Sequence, residues 1–414
     1  MAPAVSYLGR LFALGPGSRL NARAEPDQLY RRLLLPVYLP SLLTSIGLQA
    51  LLVLLPLYVL ELKASAVLAA VLVGMRGVGM LLFDIPVGLL AARFGDKPVM
   101  LLGVGGLAAS AIAFAVVEST LGLALSAVMS GMAFSAWMLG RHSYITDTCH
   151  LHERGRALAI LGGIMRVGAL IGPAGGALAA QRFGYEPVFL ATGAAAVAGL
   201  VLVTIFTKNI RPQFATAPRL QGLAEMVRAC AHVFATAGLA GLALQLMRAA
   251  RQLLLPLFGY VLGLDVGTIG LIVSMSALID VSLFYPVGVI MDRRGRKWVG
   301  VPCMVFFVIG LVLLPLAQGF HSLLVLALLL GFANGLGSGL VLTLGSDFAP
   351  SERRAEFLGL WRLIGDVGFM GAPMLIAGMV QLMTLGAASI ATAGVGLVGA
   401  VILARYVKEP LERA

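Results

Sequence analysis

Long apolar segments separated by short polar ones make up most of the chain. Each is near the roughly 20 residues that a helix needs to cross a hydrocarbon layer about 30 Å thick. Because a helix satisfies its own backbone polar groups in lipid, the pattern predicts an all-α protein with twelve membrane spans. Spans 1 to 12 are predicted at 34–60, 65–91, 99–117, 121–140, 157–180, 188–207, 235–262, 266–291, 299–316, 323–344, 357–380 and 384–406.

The two halves of the chain repeat each other at an offset of 200 residues. The tripeptide Leu-Pro-Leu occurs at 55–57 and 255–257, and Pro-Val-Gly occurs at 86–88 and 286–288. Such a repeat predicts two pseudo-symmetric six-helix bundles. The predicted domains are a leader 1–33, an N-terminal bundle 34–207, a linker 208–234, a C-terminal bundle 235–406 and a tail 407–414.

Composition supports a membrane protein and excludes several other classes. Apolar residues are 59% and charged residues 12% of the chain, against about 25% charged residues in soluble domains. This balance excludes an ordinary soluble enzyme and a disordered protein. The three cysteines lie far apart, so neither a disulfide framework nor a zinc site is expected.

The net charge of +11 could indicate a nucleic-acid partner, but the location of the basic residues indicates topology instead. Of the 30 Lys and Arg residues, 22 fall on the side of the termini, two in the opposite loops and six inside spans. Short loops rich in Lys and Arg stay cytoplasmic. We therefore expect cytoplasmic termini, a bacterial inner membrane and no nucleic-acid partner.

Three local patterns could carry other chemistry. His142 and Asp147 fit an acyltransferase pattern, but the loop there is too short for a catalytic domain. His150 and His152 beside Cys149 could bind a transition metal, although loop histidines are more often only solvated. The glycines of 331–339 lack the Lys-Ser/Thr of a phosphate loop and are interpreted as helix-packing residues. We expect no enzyme activity, no cofactor and no metal.

The loops after spans 2 and 8 carry a longer motif. The second loop reads GVIMDRRGRK at 288–297, and the first reads GLLAARFGDK at 88–97. Both resemble the signature G-x-L-A-D-R-x-G-R-K of the major facilitator superfamily of secondary transporters, although Ala92 and Asp96 depart from it. The resemblance implies that family's fold and a cytoplasmic latch between helix ends. The predicted latch residues are Gly88, Arg93, Gly95, Asp147, Gly288, Asp292, Arg293 and Arg296.

Span 5 carries a second resemblance, at Gly168, Gly172, Pro173 and Gly176. It is similar to the G-x-x-x-G-P-x-x-G-G motif of the family's antiporters, and so implies export by exchange. A packing seam of small residues is the alternative. The Arg-Gln-Gly of the family's span 4 is missing at 128–131, which argues against a standard multidrug antiporter.

Charged residues inside spans usually face a cavity or a partner. From a rise of 1.5 Å per residue, Asp84 and Arg362 lie at about 12 Å from the cytoplasmic end, Arg166 at about 15 Å and Asp280 at about 18 Å. In the family's fold, span 2 lies against span 11 and span 5 against span 8. Asp84–Arg362 and Arg166–Asp280 would then pair across the halves, with Arg362–Asp366 as a rival. The predicted proton-coupling and gating residues are Asp280, Asp366, Asp84, Arg362, Arg166 and Arg76.

Positive charge remains in surplus, and Arg248 and Arg251 lie on one face of span 7. Because spans 1, 4, 7 and 10 line the family's cavity, we expect a cationic wall suited to an anionic or zwitterionic substrate. In the alternative, Arg248 pairs with Asp280 and Arg251 extends outward, and the substrate is neutral or cationic. The predicted substrate-binding residues are Arg248, Arg251, Gln245, Asn334, Ser45 and Gln49.

These features predict a monomeric, proton-coupled exporter whose partners are a small amphipathic substrate, protons and the lipid bilayer. Drugs, siderophores and other carboxylate metabolites are candidate substrates. The alternatives are transport of a lipid-like anion such as a lysophospholipid, and uptake of an organic anion.

The sequence supports one direct test of proton coupling. Asp280→Asn or Asp366→Asn should abolish pH-driven transport in proteoliposomes while leaving the protein folded, because making and breaking an Arg pair can load and release a proton. Undiminished pH-driven transport in both single variants would reject the assignment.

Overall fold

The computed structural model describes residues 32–209 and 220–409, which form helices joined by short loops without a strand in those ranges. Residues 1–31 of the predicted leader, 210–219 of the linker and 410–414 of the tail lie outside them. Twelve helices are long and apolar enough to cross a membrane. In order, α1 to α12 are Leu34–Glu61, Ala66–Phe94, Asp96–Val116, Thr120–Thr148, His152–Phe183, Tyr185–Phe206, Ala231–Val261, Val266–Arg294, Lys297–Leu316, Phe320–Phe348, Glu356–Leu382 and Leu385–Arg405.

Several helices extend beyond the apolar segments that predict them. The apolar run of span 4 ends at Gly140, but α4 continues to Thr148 through polar residues. Hydropathy detects the thickness of the hydrocarbon layer, whereas a helix can continue into water. Before α7, the helix Leu220–Ala229 occupies part of the linker. Glu225 of this linker helix lies 3.7 Å from Arg353, which precedes α11.

The repeat extends to backbone details of the two halves. A π-helical turn begins α1 at Leu34–Tyr38 and recurs in α7 at Phe234–Gly238. The helices α2 and α8 cover positions 200 apart and are followed by Gly95 and Gly295, whose φ angles are 89° and 104°. Glycine adopts such positive φ angles without a Cβ clash. The predicted fold of two pseudo-symmetric six-helix bundles is confirmed.

Residues 200 apart also cap the N-termini of α2 and α8. Ser65 accepts a hydrogen bond from the backbone N–H of Leu68, and Asp265 accepts one from that of Thr268. These side chains satisfy backbone donors that the first helical turn leaves free. The hydroxyl and backbone N–H of Thr268 also hold the pKa of Asp265 below its ordinary value.

The two halves pack tightly at one end of the bundle, with α5 against α8 and α2 against α11. We call the end that holds the connections 62–65 and 262–265 the loop end. The opposite end, which holds the linker helix, is the linker end. At the loop-end half of the interface, a methyl group added to Gly270 would overlap Ala177 and the Pro173 carbonyl. The Ala174 N–H donates to the Ser274 hydroxyl across the interface at 2.9 Å. The loop end is therefore closed.

At the linker end, the predicted latch does not join the halves. Arg296 donates to Asp347 at 2.8 Å, and both residues belong to the C-terminal half. The Asp292 side chain is 76% exposed, and its ion-pair partner within the described part of the chain is Arg296, at 3.8 Å. A methyl group added to Gly88 or Gly288 would have no neighbour within 4 Å. The linker end is unlatched in this structure.

The remaining latch residues are also engaged locally. Arg93 lies over the ring of Phe94, with 5.2 Å to its centroid. The side chain of Asp147 forms no ion pair among the described residues, and it lies beside Asp96. Its predicted place in the latch fails here because Asp96 stands at the repeat position of Arg296, so the N-terminal half lacks the cation that Asp347 binds.

The antiporter-like motif of α5 forms a packing seam with α1. Methyl groups added to Gly168, Gly172 and Gly176 would overlap Ser45, Ile46 and Ala50 respectively. Small residues at this spacing allow two helix backbones to approach closely. The packing alternative is therefore realised in the structure, and a link to transport direction stays a proposal.

Close packing of α2 on α4 gives a stability prediction. Gly131→Ala would place a methyl group against the backbone carbonyl of Arg76, which no rotamer change can relieve. We expect a loss of about 1–3 kcal/mol, measured as a lower unfolding temperature in detergent.

Gly163→Ala is the matched control, because a methyl group there would meet nothing within 4 Å. Its unfolding temperature should equal or exceed that of the original protein. Equal unfolding temperatures for both variants would contradict the close packing of α2 on α4.

Candidate substrate site and buried charge clusters

A central cavity of about 420 Å³ lies between the two halves. Five of the six predicted substrate-binding residues line it. The exception is Ser45, which is 2% exposed and donates its hydroxyl to the Met165 carbonyl at 3.3 Å. Ser45 fails as a cavity residue because it faces the seam between α1 and α5. The five predicted residues that line the cavity are Gln49, Gln245, Arg248, Arg251 and Asn334.

The two arginines of α7 are held by neutral acceptors. Arg248 donates to the Gln245 side chain at 2.9 Å and to the Gly337 carbonyl at 2.6 Å. Arg251 is 8% exposed and donates to the Ser276 hydroxyl at 3.2 Å. The alternatives in which Arg248 pairs with Asp280 or Arg251 extends outward are therefore wrong. Among the described residues, neither guanidinium forms an ion pair with a carboxylate, and Asp280 lines the same cavity.

One of these acceptors, the Gly337 carbonyl, lies at a break in α10. The helix stops at Leu336 and restarts at Leu340, and Gly339 between them adopts a left-handed φ of 77°. At the break, the Gly337 carbonyl accepts from the Leu340 N–H at 3.1 Å and also from Arg248. The interpretation of these glycines as helix-packing residues is right for Gly331 and Gly337, which pack against Ser276 and Cys303, and wrong for Gly339, whose left-handed backbone forms the break. Interrupted helices commonly form transporter binding sites.

Asp280 is the acidic residue of the cavity, and its partners differ from the prediction. It accepts from the Asn334 amide at 2.5 Å and from the Ser338 hydroxyl at 3.4 Å. The predicted partner Arg166 lies instead over the ring of Phe284, 3.6 Å from its centroid. The Arg166–Asp280 pair is thus wrong for this structure.

Two features explain why Arg166 does not reach Asp280. Phe284 follows Asp280 by four residues and so presents an aromatic face next to it on α8. Arg166 also donates a hydrogen bond to the Gly162 carbonyl of its own helix, at 3.2 Å, and the linker end is unlatched. Sequence reasoning missed Phe284 and Ser338. The four-residue spacing could have indicated Phe284, whereas Ser338 depends on the break in α10.

A second charge cluster bridges α2 and α11. Arg362 lies 3.5 Å from Asp84 and 3.5 Å from Asp366, so the predicted pair and its predicted rival both form. Ser135 of α4 also donates to Asp84. The Asp84 and Asp366 side chains are 14% and 15% exposed. Two largely buried carboxylates therefore share one guanidinium, and the cluster carries one negative charge in excess when both acids are ionised.

Arg76 lies apart from both clusters. It is 6% exposed on α2 and lies over the Phe134 ring, with 4.7 Å to the centroid. Among the described residues it forms no ion pair with a carboxylate. The structure therefore does not bring Arg76 together with the other predicted gating residues.

Comparison with known proteins places the chain among transporters. The family described as Major Facilitator Superfamily matches residues 37–247 and 237–414. The Klebsiella pneumoniae multidrug resistance protein MdtH is 25% identical over 317 residues, which cover 74% of this chain and 76% of MdtH. The Escherichia coli inner membrane transport protein YajR is 26% identical over 147 residues, 35% of this chain and 32% of YajR.

Solved structures show the same fold. A bacterial homologue of the human lysosomal transporter Spinster, in an inward-facing and occupied conformation, superposes with a TM-score of 0.75. The match covers 93% of this chain and 98% of that chain at 15% identity.

The shared guanidinium of Arg362 gives a testable prediction. Arg362→Gln should lower the unfolding temperature more than Asp84→Asn or Asp366→Asn does, because only the first leaves two buried carboxylates without a counter-charge. Adding both Asp→Asn changes to Arg362→Gln should recover much of the loss. If the triple variant unfolds no later than Arg362→Gln alone, the three residues do not act as one cluster.

Proposed function

The chain belongs to the major facilitator superfamily, and on that premise we propose that it is a proton-coupled exporter of a small amphipathic organic anion or zwitterion. Family membership makes the chain a multi-pass membrane transporter and not an enzyme. The substrate class, the coupling ion and the direction are the proposal. We expect the protein to act as a monomer.

The charge of the central cavity supports an anionic or zwitterionic substrate. Among the described residues, three guanidinium groups line it, those of Arg166, Arg248 and Arg251, against the one carboxylate of Asp280. A guanidinium can bind a carboxylate or phosphate through two parallel hydrogen bonds. The wall also includes apolar side chains, such as Leu52 and Phe369, that suit the apolar part of an amphipathic molecule. An anionic substrate would supply the counter-charge that the cavity lacks.

Proton coupling is supported by the cluster of Asp84, Arg362 and Asp366. One guanidinium cannot neutralise two carboxylates, and a proton is the smallest ion that completes the balance. The cluster joins α2 to α11 across the interface between the halves. Rocking of the two halves would change the distances within this cluster. Proton binding would then be coupled to the side of the membrane from which the central cavity is open.

Export as the direction of transport is supported by the distribution of basic residues and by the unlatched linker end. The excess of Lys and Arg on the side of the linker predicts that this side is cytoplasmic in a bacterial inner membrane. The unlatched linker end would then admit a cytoplasmic substrate. The antiporter-like motif at Gly168–Gly176 and the similarity to MdtH, named for multidrug resistance, support export.

Transport by proteoliposomes tests the substrate class. With a pH gradient imposed, we expect uptake of amphipathic carboxylates or zwitterions and little uptake of matched lipophilic cations. Arg248→Gln should reduce anion transport at least tenfold because it removes a charged hydrogen-bond donor of the cavity.

Arg182→Gln is the control, since Arg182 is exposed in the last turn of α5 and does not line the cavity. It should transport like the original protein. Preference for cations would overturn the substrate class, and transport unaffected by the pH gradient would overturn proton coupling. Transport of lysophospholipid between leaflets, or accumulation of an organic anion in cells only when the protein is present, would favour the two alternatives.

A further inference from the structure

The charges that line the central cavity form one interacting group. Among the described residues, its three guanidinium groups and the Asp280 carboxylate leave an excess of two positive charges when Asp280 is ionised. Arg166 interacts electrostatically with Arg248 and Asp280, and Arg251 interacts with the same two groups. A molecule bound in the cavity would therefore meet the whole excess and not one isolated cation.

The cations of this group come from both halves of the protein. Arg166 belongs to α5 of the N-terminal half, and Arg248 and Arg251 belong to α7 of the C-terminal half. Arg251 is the most enclosed of the three, and it already donates to the Ser276 hydroxyl and the Leu330 carbonyl. Arg166 and Arg248 are only half-buried. These two guanidinium groups can thus approach one bound molecule from opposite halves.

The contacts of Arg166 leave most of its donors free. A guanidinium carries five N–H donors in one plane. Within the described part of the chain, Arg166 uses one of them for the Gly162 carbonyl, at 3.2 Å. Its other contact is with the face of the Phe284 ring, 3.6 Å from the centroid. Because stacking engages the face of a guanidinium and hydrogen bonds form at its edge, Phe284 orients Arg166 without using those donors.

We propose that the substrate carries a doubly charged oxyanion group of the phosphate monoester class, and that this group binds between Arg166 and Arg248. The inference rests on the proposed function and narrows its substrate class. Two negative charges match the excess of the cavity, and the three terminal oxygens accept hydrogen bonds from two guanidinium groups at once. A single carboxylate offers two oxygens and leaves one positive charge uncompensated. Phe284 is the positioning residue of Arg166.

A group bound in this way also joins the two halves of the protein. In the structure, Arg166 crosses the interface only to an aromatic ring, Phe284. An oxyanion held by Arg166 and Arg248 adds charge-assisted hydrogen bonds between α5 and α7. Binding therefore favours conformations in which these helices hold the group from both sides.

Binding to the purified protein in phosphatidylcholine nanodiscs tests the charge of the group without a pH gradient. The probes share one hexyl chain: hexyl phosphate, hexyl sulfate, hexanoate and hexyltrimethylammonium. At pH 8 the phosphate is mostly a dianion, because the second pKa of a phosphate monoester is about 6. The sulfate has the same tetrahedral shape but one charge. By calorimetry, with empty nanodiscs as the blank, hexyl phosphate should bind at least tenfold tighter than hexyl sulfate or hexanoate.

Variants locate the bound group. Arg166→Gln and Arg248→Gln should each weaken the binding of hexyl phosphate at least tenfold. Arg182→Gln, in the last turn of the same helix as Arg166, should bind it like the original protein. Phe284→Leu should weaken binding although both guanidinium groups remain, and Phe284→Tyr, which keeps the ring, should restore it. The Phe284 pair gives an answer even if Arg166→Gln does not fold.

The inference would be overturned by equal affinities for hexyl phosphate and hexyl sulfate, or by no binding of hexyl phosphate. Unchanged affinity in Arg166→Gln, or equal affinities of Phe284→Leu and Phe284→Tyr, would also overturn it. If hexanoate then still binds and hexyltrimethylammonium does not, the proposed function stands without this inference. Preferential binding of hexyltrimethylammonium would overturn both.

Discussion

Charge inside an apolar helix bundle is the constraint on which this structure depends. A guanidinium in such a bundle needs acceptors within the protein or a bound counter-ion. The molecule meets this need in four ways: a backbone carbonyl at the break in α10 for Arg248, a hydroxyl for Arg251, an aromatic face for Arg166 and two carboxylates for Arg362. Each solution holds a particular helix pair in place.

Two of these contacts cross the interface between the halves, and they have opposite charge balance. Around the central cavity cations exceed anions, whereas around Arg362 the acids exceed the cation. The first arrangement suits an anionic cargo and the second suits a proton. Because Arg166–Phe284 and Arg362–Asp84 both join one half to the other, any rocking of the halves has to change them. Binding energy at either place can therefore shift the balance between conformations.

The duplicated halves share a backbone but not a charge pattern. Lys97 and Lys297 both donate to a carbonyl near the end of the last helix of their own half, α6 or α12. At the latch positions, by contrast, Arg296 binds Asp347 while Asp96 lies beside Asp147. Substitution of single charged residues after duplication keeps the fold, because the helix packing rests on glycines and apolar side chains. It changes which half can latch, bind an anion or carry a proton.

The amino-acid sequence alone determined the spans and the duplication, because hydropathy and repeat offset are local properties of the chain. The pairing of Asp84 with Arg362 followed from matched depth along the helices together with the helix neighbours that the family resemblance implies. The tertiary structure decided three other matters. Glycines have the same sequence pattern in a packed seam and in a broken helix, so the break at 337–339 was hidden. Ser45 faces the seam with α5, and Arg166 contacts Phe284 instead of Asp280. Both contacts depend on the rotation of each helix about its axis and on separations smaller than one helical turn, which the sequence does not give.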